Sequence, residues 1–334
     1  MTNSIIVKNR NHAIDIAKAV GIFLVVLGHH PDNLTNWIYS FHMPLFFLLS
    51  GIFHKKYDCY KSFIKKKVKT LLIPYFIFSI ILIFVWYIIG RKYGEAALHP
   101  VTLKQSILGM LYGSEVKDIA SMQWGGTLWF LPCLFIVENL FYFISKLKKE
   151  KVFVLILLSM SSSIVYNLLF TFNLPWNIQR ALFEIGFYSV GYYYKDFFLE
   201  TTESKARYMI FGVFALFLNL LVFSVFKVND QVISKVIYFF TGLFGSVGII
   251  ELCKVYKTNK FIDQIGKNTI ILFCLERKVN AAIKFIIIII LHKNMIEGNI
   301  AIDVIYSIIQ ILLCYPLIVV INKYFYFILG RKKS

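Results

Sequence analysis

The side chains best suited to chemistry are a lysine and a histidine near the start of the chain, Lys18 and His29. They are eleven positions apart, so on an ideal helix they would differ by about 20° in direction and by about 16.5 Å in height. Both then lie on one helix face, and Asp15, one turn before Lys18, can pair with it. Histidine titrates near neutral pH and is suited to removing a proton from a hydroxyl group.

The sequence around these residues is typical of a membrane protein. Of its 334 residues, 58% are hydrophobic and 16% charged, against about 45–50% and about 25% in an ordinary soluble domain. Several stretches reach the roughly 20 apolar residues that cross a bilayer. An ionisable side chain within such a stretch is costly and indicates a functional site. The ordinary alternatives are that Lys18 snorkels to the headgroups and that His29 is an interfacial histidine with no task.

Hydropathy predicts an all-α polytopic protein of about ten transmembrane helices, with residues 1–334 forming one membrane-embedded domain. Short cytoplasmic loops carry an excess of Lys and Arg. Of these residues, 23 fall in the tails and connections of one side and 7 on the other. We therefore expect both termini in the cytoplasm and the 91–125 loop outside the cell. The predicted helices are 13–30, 37–54, 69–90, 126–145, 152–172, 178–194, 207–226, 233–252, 268–291 and 301–329.

The charge and the cysteines argue against other classes of protein. In a soluble chain the net charge of +18 would suggest a nucleic-acid partner, but here most of the excess lies in the orienting segments, so we expect no such partner. The five cysteines are far apart in sequence and no two histidines have zinc-ligand spacing. We therefore expect neither a structural disulfide nor a metal site. The first apolar stretch lacks a cleavage site and is expected to be a retained helix.

Short motifs in the first half of the chain carry a family resemblance. They are the Lys18 and His29 spacing, the FHMPLFFLLSG segment at 41–51, the basic run Lys65, Lys66, Lys67 and Lys69 before Pro74 and Tyr75, and the LWFL segment at 128–131. Together they resemble the acyltransferase-3 family of integral membrane acyltransferases, most closely its fucose 4-O-acetylase-like acetyltransferase branch.

The resemblance implies transfer of an acyl group, usually acetyl from acetyl-CoA, to a hydroxyl of a cell-surface polysaccharide or glycolipid. Acetyl-CoA is then a substrate, and no permanently bound cofactor is expected. Its phosphates should meet Lys18 and the lysines at 65–69, all on the cytoplasmic side. His29 would act as the general base, and a transient acetyl-imidazole is the covalent variant. The chain would be a multi-pass protein of the inner or plasma membrane.

Three aromatic or imidazole side chains are candidates for a supporting role. His30 follows His29 but points about 100° away on a helix, so it ranks second as the base. His42 could orient His29 or the acceptor, or it could bind a carbonyl that Pro44 frees. Trp129 could stack on a sugar ring or belong to an interfacial aromatic belt, and Trp124 is a weaker example of the same choice.

Carboxylates inside predicted spans are the remaining candidates. Glu184 is four residues from Arg180, and an intrahelical pair is its simplest interpretation. Glu138 has no obvious local partner and is therefore the better candidate for a buried functional carboxylate. Glu276 stands close to where many members of the family carry a late histidine. It could replace that histidine or simply pair with its neighbour Arg277.

A second class of function stays open at this stage. Ten helices with intramembrane carboxylates could also form an exporter of a polysaccharide or lipid-linked sugar, although the sequence has no inverted repeat. Loss of O-acetyl groups from a normal amount of glycan would indicate the enzyme, and loss of the glycan would indicate export. The sequence leaves open the acceptor, the acyl length, the side of transfer and the oligomeric state, a homo-oligomer included.

Overall fold

The protein is helical throughout the part of the chain that the computed structural model describes. That part covers residues 11–30, 34–93, 95–201, 204–225, 230–287 and 298–331, and it contains no β-strand. The helices are α1 (His12–Leu27), α2 (Thr35–Tyr39), α3 (His42–Ile52), α4 (Tyr60–Lys67), α5 (Ile73–Ile88), α6 (Glu95–Leu98), α7 (Leu103–Tyr112), α8 (Phe130–Ile144), α9 (Lys149–Leu169), α10 (Ile178–Tyr193), α11 (Lys195–Leu199), α12 (Lys205–Val225), α13 (Gln231–Cys253), α14 (Lys260–Lys267), α15 (Thr269–Phe285) and α16 (Ile300–Tyr324).

Six helical stretches are long and apolar enough to cross a membrane. They are Tyr60–Lys92, Gly126–Ile144, Lys149–Leu169, Lys205–Val225, Gln231–Cys253 and Ile300–Tyr324. Helices also occupy the other four predicted segments as α1, α3, α10 and α15, with 16, 11, 16 and 17 residues. The all-helical membrane class is confirmed, and the count of about ten crossings stays a prediction. Parts of the predicted helices and of the basic tails, 288–291, 8–10 and 332–333 among them, lie outside the described residues.

Several predicted boundaries are wrong, each for a local reason. The 37–54 segment is divided into α2 and α3, because Phe41, with φ −144° and ψ −16°, leaves the helical conformation between them. The first helix ends at Leu27 rather than residue 30, because the amide of His29 turns back to the Val26 carbonyl at 3.1 Å. This three-residue step tightens the last turn. His29 therefore lies in a turn at the helix end rather than on an ideal helix face.

Glycines bring α3 and α10 into backbone contact. A β-carbon on Gly51 would collide with the Tyr188 carbonyl, and one on Gly191 would collide with the Leu48 carbonyl. Small residues allow such close approach between membrane helices, where the hydrophobic effect does not hold helices together. Gly51 therefore contributes to close helix packing.

Side-chain contacts define two ends of the helix bundle. At the first, here called the His29 end, the end of α1 contacts α15, and α16 contacts the same residue of α15. The first half of α10 contacts Trp129, just before α8, and the first half of α13 at this end. At the other, called the Lys67 end, α4 meets the end of α8, and the start of α1 meets α11 and α14. The two candidate regions described below lie at these two ends.

The connection 91–125 forms a packed cap at the His29 end. Its helix α7 begins with a capping box between Thr102 and Gln105 and ends at Gly113, whose φ of 70° is left-handed. Tyr75 of α5 donates a hydrogen bond of 2.6 Å to the Met110 carbonyl and ties the cap to the bundle. Trp124 is fully buried, so its assignment to an interfacial belt is wrong.

Candidate functional site

The centre of the candidate site is a contact between His29 and Glu276. Nδ1 of His29 lies 3.0 Å from Oε1 of Glu276, with the two side chains 17% and 0% exposed. The contact is one of ion-pair distance, and neither atom makes a hydrogen bond in the described part of the chain. Gln310 of α16 donates through Nε2 to Oε2 of Glu276 at 2.9 Å and to its backbone carbonyl at 2.7 Å. Three helix segments distant in sequence therefore fix one imidazole and one carboxylate.

This arrangement determines which nitrogen of His29 can act as a base. An ionised carboxylate only accepts hydrogen bonds, so a proton on Nδ1 is favoured and Nε2 of the neutral ring carries the free lone pair. The carboxylate of Glu276 also stabilises the imidazolium that forms when Nε2 takes up a proton. The pair thus has the parts of a histidine general base with an orienting carboxylate.

The neighbouring histidines have other partners. His30 is buried, and its ring is stacked on Tyr306 of α16 with a centroid distance of 6.3 Å. Nδ1 of His42 is 3.0 Å from the Ile38 carbonyl. That carbonyl is two residues before the Ser40 carbonyl that Pro44 leaves without its helical donor. His42 therefore binds a backbone carbonyl, as one prediction had it, but not the carbonyl freed by the proline.

A polar cavity of about 650 Å³ lies at the His29 end. Arg277, which lines the cavity, follows Glu276 directly in α15, so the cavity and the His29 contact share one helical turn. The cap contributes Ser114 and Met122, and α13 contributes Lys235. A volume of this size falls within the range of small-molecule sites.

One wall of the cavity is built around Arg180. Its Nε is 3.4 Å from Oε1 of Glu184, as the spacing of four residues predicted, and Tyr238 donates to the same oxygen at 3.1 Å. The guanidinium also lies 4.0 Å from the ring of Trp129. Arg180 therefore covers one face of the Trp129 ring, and that face is not available to stack on a sugar.

The Lys67 end holds the lysines predicted to bind the donor. Lys67 donates to Oε1 of Glu138 at 2.7 Å, with side chains 15% and 6% exposed. Glu138 has no partner in its own stretch of sequence, and its partner in the structure is Lys67, 71 positions away. The other three lysines of the cluster, Lys65, Lys66 and Lys69, are exposed.

Lys18 and Asp15 also lie toward the Lys67 end, at the beginning of α1. The ammonium of Lys18 is 4.4 Å from the ring centre of Phe53, the residue that ends α3. Asp15 is buried, and its backbone carbonyl lies against Gly266 of α14. The structure thus separates the predicted catalytic residues, with His29 at one end of α1 and Lys18 and Asp15 toward the other.

Gln310 is not among the site residues predicted from the sequence, although the sequence contains a signal for it. Asp303, Ser307 and Gln310 are all buried in α16, and their spacing of four and three residues puts them on one helix face. A polar stripe on an otherwise apolar helix indicates a polar interior. The sequence held no comparable signal that Lys235 lines the cavity, because a single lysine near the start of a membrane helix is common.

The comparisons with known proteins identify the family. The family model described as "Acyltransferase domain", of the acyltransferase-3 type, matches residues 11–320. The chain therefore belongs to this acyltransferase family, and it is a membrane acyltransferase. No curated protein and no solved structure matches the chain.

Proposed function

We propose that this acyltransferase transfers acetyl from acetyl-CoA to a hydroxyl group of a carbohydrate, with His29 as general base. The observation that carries the proposal is the 3.0 Å contact between His29 and the fully buried Glu276, beside a cavity large enough for a sugar. Within the family, a base of this kind has a defined task, since acyl transfer requires removal of the acceptor's proton.

In the proposed reaction, Nε2 of His29 takes the proton of the acceptor hydroxyl while its oxygen attacks the thioester carbonyl carbon. The carbon–sulfur bond then breaks, and the leaving thiolate of coenzyme A receives a proton from the imidazolium. Glu276 stays ionised throughout and holds the ring in the productive tautomer, helped by Gln310.

The proposal includes an orientation in the plasma membrane. With ten crossings and both termini in the cytoplasm, the Lys67 end faces the cytoplasm, where acetyl-CoA is available, and the His29 end faces outward. The exposed Lys65, Lys66 and Lys69 are the lysines available to the coenzyme phosphates. Lys67 contributes less, because Glu138 already balances its charge.

Delivery of the thioester to His29 requires side chains to move. On the helix face that joins Lys18 to His29, Ile22 and Val25 are buried. Gly21 also lies on this face, and Leu45 and Phe46 of α3 lie so close to it that a β-carbon there would be 3.1 Å from each. The donor arm would therefore have to pass between α1 and α3 by displacing the Leu45 and Phe46 side chains, which are not tied by hydrogen bonds.

The decisive experiment supplies radiolabelled acetyl-CoA to sealed inside-out membrane vesicles that contain the protein, and follows the label in carbohydrate. We expect label in surface glycan with the unmodified protein and none with His29→Ala at equal protein level. In cells, NMR of the glycan should show loss of O-acetyl signals with an unchanged amount of glycan. Full transfer by His29→Ala would overturn the proposal. Loss of the glycan itself would indicate export, which the family match does not favour.

A further inference from the structure

The charges that line the cavity at the His29 end do not balance. Arg180 and Tyr238 both engage Oε1 of Glu184, while its Oε2 has no hydrogen-bond partner among the described residues. Lys235 and Arg277 line the same space, and no carboxylate of the described residues lies within ion-pair distance of either. The lining therefore has three cations, Arg180, Lys235 and Arg277, against the two carboxylates of Glu115 and Glu184.

The surroundings of Lys235 make its charge costly. Its side chain is half-buried, and its ammonium lies 5.6 Å and 5.9 Å from the rings of Phe183 and Tyr238. An aromatic ring attracts a cation less strongly than an anion does. Partial burial also removes some of the water around the Lys235 ammonium group. The remaining carboxylate of the lining, Glu115, belongs to the cap and is exposed. An anionic ligand would supply the negative charge that the lining lacks beside Lys235.

Arg277 is positioned to connect such a ligand to the chemistry. Glu276 faces His29, and the next side chain along α15 points about 100° away, into the cavity. Gly126 leaves room for it, since a β-carbon there would come within 3.3 Å of the Arg277 guanidinium. An anion held by Arg277 would therefore be bound by the residue next to Glu276, the carboxylate that contacts the general base.

We propose that the cavity recognises its acceptor by an anionic group, a carboxylate or a phosphate on a saccharide, held between Lys235 and Arg277. This inference rests on the proposed function and names the class of its acceptor. The neutral amide and hydroxyl side chains of the lining, Asn167, Asn173 and Ser234 among them, are suited to the sugar hydroxyls.

Binding to the purified full-length protein in phosphatidylcholine nanodiscs tests this without any acyl donor. Three probes are compared: a disaccharide that contains glucuronic acid, its carboxyl-reduced neutral form, and the neutral disaccharide carrying a 6-phosphate. We expect at least one anionic probe to bind about tenfold more tightly than the neutral one, from one charge-assisted contact. The two anionic arms distinguish a carboxylate from a phosphate. Equal affinities for all three probes would overturn the proposal.

Matched variants assign the preference to the cavity. Arg277→Gln and Lys235→Gln should each remove most of the preference for the anionic probe, while Arg277→Lys should retain part of it. Lys104→Gln is the control, since it removes the same charge from α7 of the cap, where the side chain is exposed and outside the cavity. An equal loss with Lys104→Gln would overturn the proposal, and thermal unfolding of each variant checks that it is folded.

Two further outcomes separate this proposal from the function on which it rests. If coenzyme A displaces the anionic probe and the same two variants weaken coenzyme A binding, the cavity is a donor site and the inference is wrong. If the anionic preference is present but the unmodified protein transfers no acyl group to any acceptor, the proposed function fails while the binding site stands. Transfer to neutral and anionic acceptors with equal efficiency would leave the function and overturn the inference.

Discussion

The two ends of the helix bundle each hold a buried carboxylate and a histidine, yet they arrange them differently. At the His29 end the carboxylate of Glu276 faces an imidazole beside a polar cavity. At the Lys67 end the carboxylate of Glu138 faces an ammonium. The histidine there, His54, binds the Tyr188 hydroxyl at 2.8 Å, and aromatic rings surround it.

This difference separates a reactive pair from a structural one. Lys67 gives the Glu138 carboxylate a permanent counter-charge, whereas His29 beside Glu276 has a second ring nitrogen that can take up and release a proton. Burial of an acidic residue is therefore a poor guide to function by itself. The partner that the fold supplies decides the role.

The largest contrast should come from the two histidines. We expect His29→Ala to lower acetyl transfer by about 10²- to 10⁴-fold, since it removes the general base. His54→Gln should leave turnover per folded molecule within about twofold, because no group of the reaction reaches it, although its Tyr188 contact is weakened. Turnover of purified protein, corrected for the folded fraction, checks both. A comparable loss for His54→Gln would mean that both ends take part in the chemistry.

The two carboxylates should differ next. Glu276→Gln keeps the shape but removes the charge that orients His29, and we expect a loss of about 10- to 100-fold in kcat. Glu276→Asp keeps the charge and should recover part of that loss. If Glu276 only filled space, this shorter side chain would recover nothing. Glu138→Gln should change kcat little. If Glu138→Gln lowers kcat as much as Glu276→Gln does, the two carboxylates do not have the different roles described above.

The exposed lysines of the Lys67 end should affect donor binding only. We expect the triple variant of Lys65, Lys66 and Lys69 to glutamine to raise the KM for acetyl-CoA about tenfold, since each exposed charge contributes up to about 1 kcal/mol. The effect should shrink at high salt, and the KM for the acceptor should not change. Glutamine at Lys148, Lys149 and Lys151, three exposed lysines at the start of α9, is the control. A rise in KM with the control triple would indicate a diffuse charge effect.

The smallest effect on turnover, and the largest on stability, is expected from the Lys67 and Glu138 pair. Lys67→Met leaves a buried carboxylate without its partner, which costs about 3–5 kcal/mol of folding free energy. The double variant Lys67→Met with Glu138→Leu should recover most of this loss, because no charge is then buried. Thermal unfolding in detergent measures both, and failure of the double variant to recover would show that the pair contributes more than mutual neutralisation.

Local patterns were read correctly from the sequence. Hydropathy located helices in all ten predicted segments, and the spacing of four residues paired Arg180 with Glu184. Both depend on neighbours within one helix, where geometry follows from spacing alone. His29 was likewise found from its position at the end of an apolar helix.

Contacts between distant helices could not be read in this way. The partner of Glu138 could not be found because Lys67 belongs to another helix. The pairing of Glu276 with His29, and the support that Gln310 gives it, requires α1, α15 and α16 to meet at one end of the bundle. No spacing in one sequence encodes that meeting. The tight turn after Leu27, which moves His29 off the ideal helix face, is a local backbone bond that spacing on an ideal helix leaves out.

At the His29 end, His29 and Glu276 are proposed to act as one unit in acyl transfer. A double-mutant cycle on kcat with His29→Ala, Glu276→Gln and the combined variant measures it most directly. If Glu276 acts through His29, the combined variant should be no slower than His29→Ala alone, because the carboxylate has nothing left to orient. If the two losses multiply instead, the residues act independently, and the account of the His29 end is contradicted.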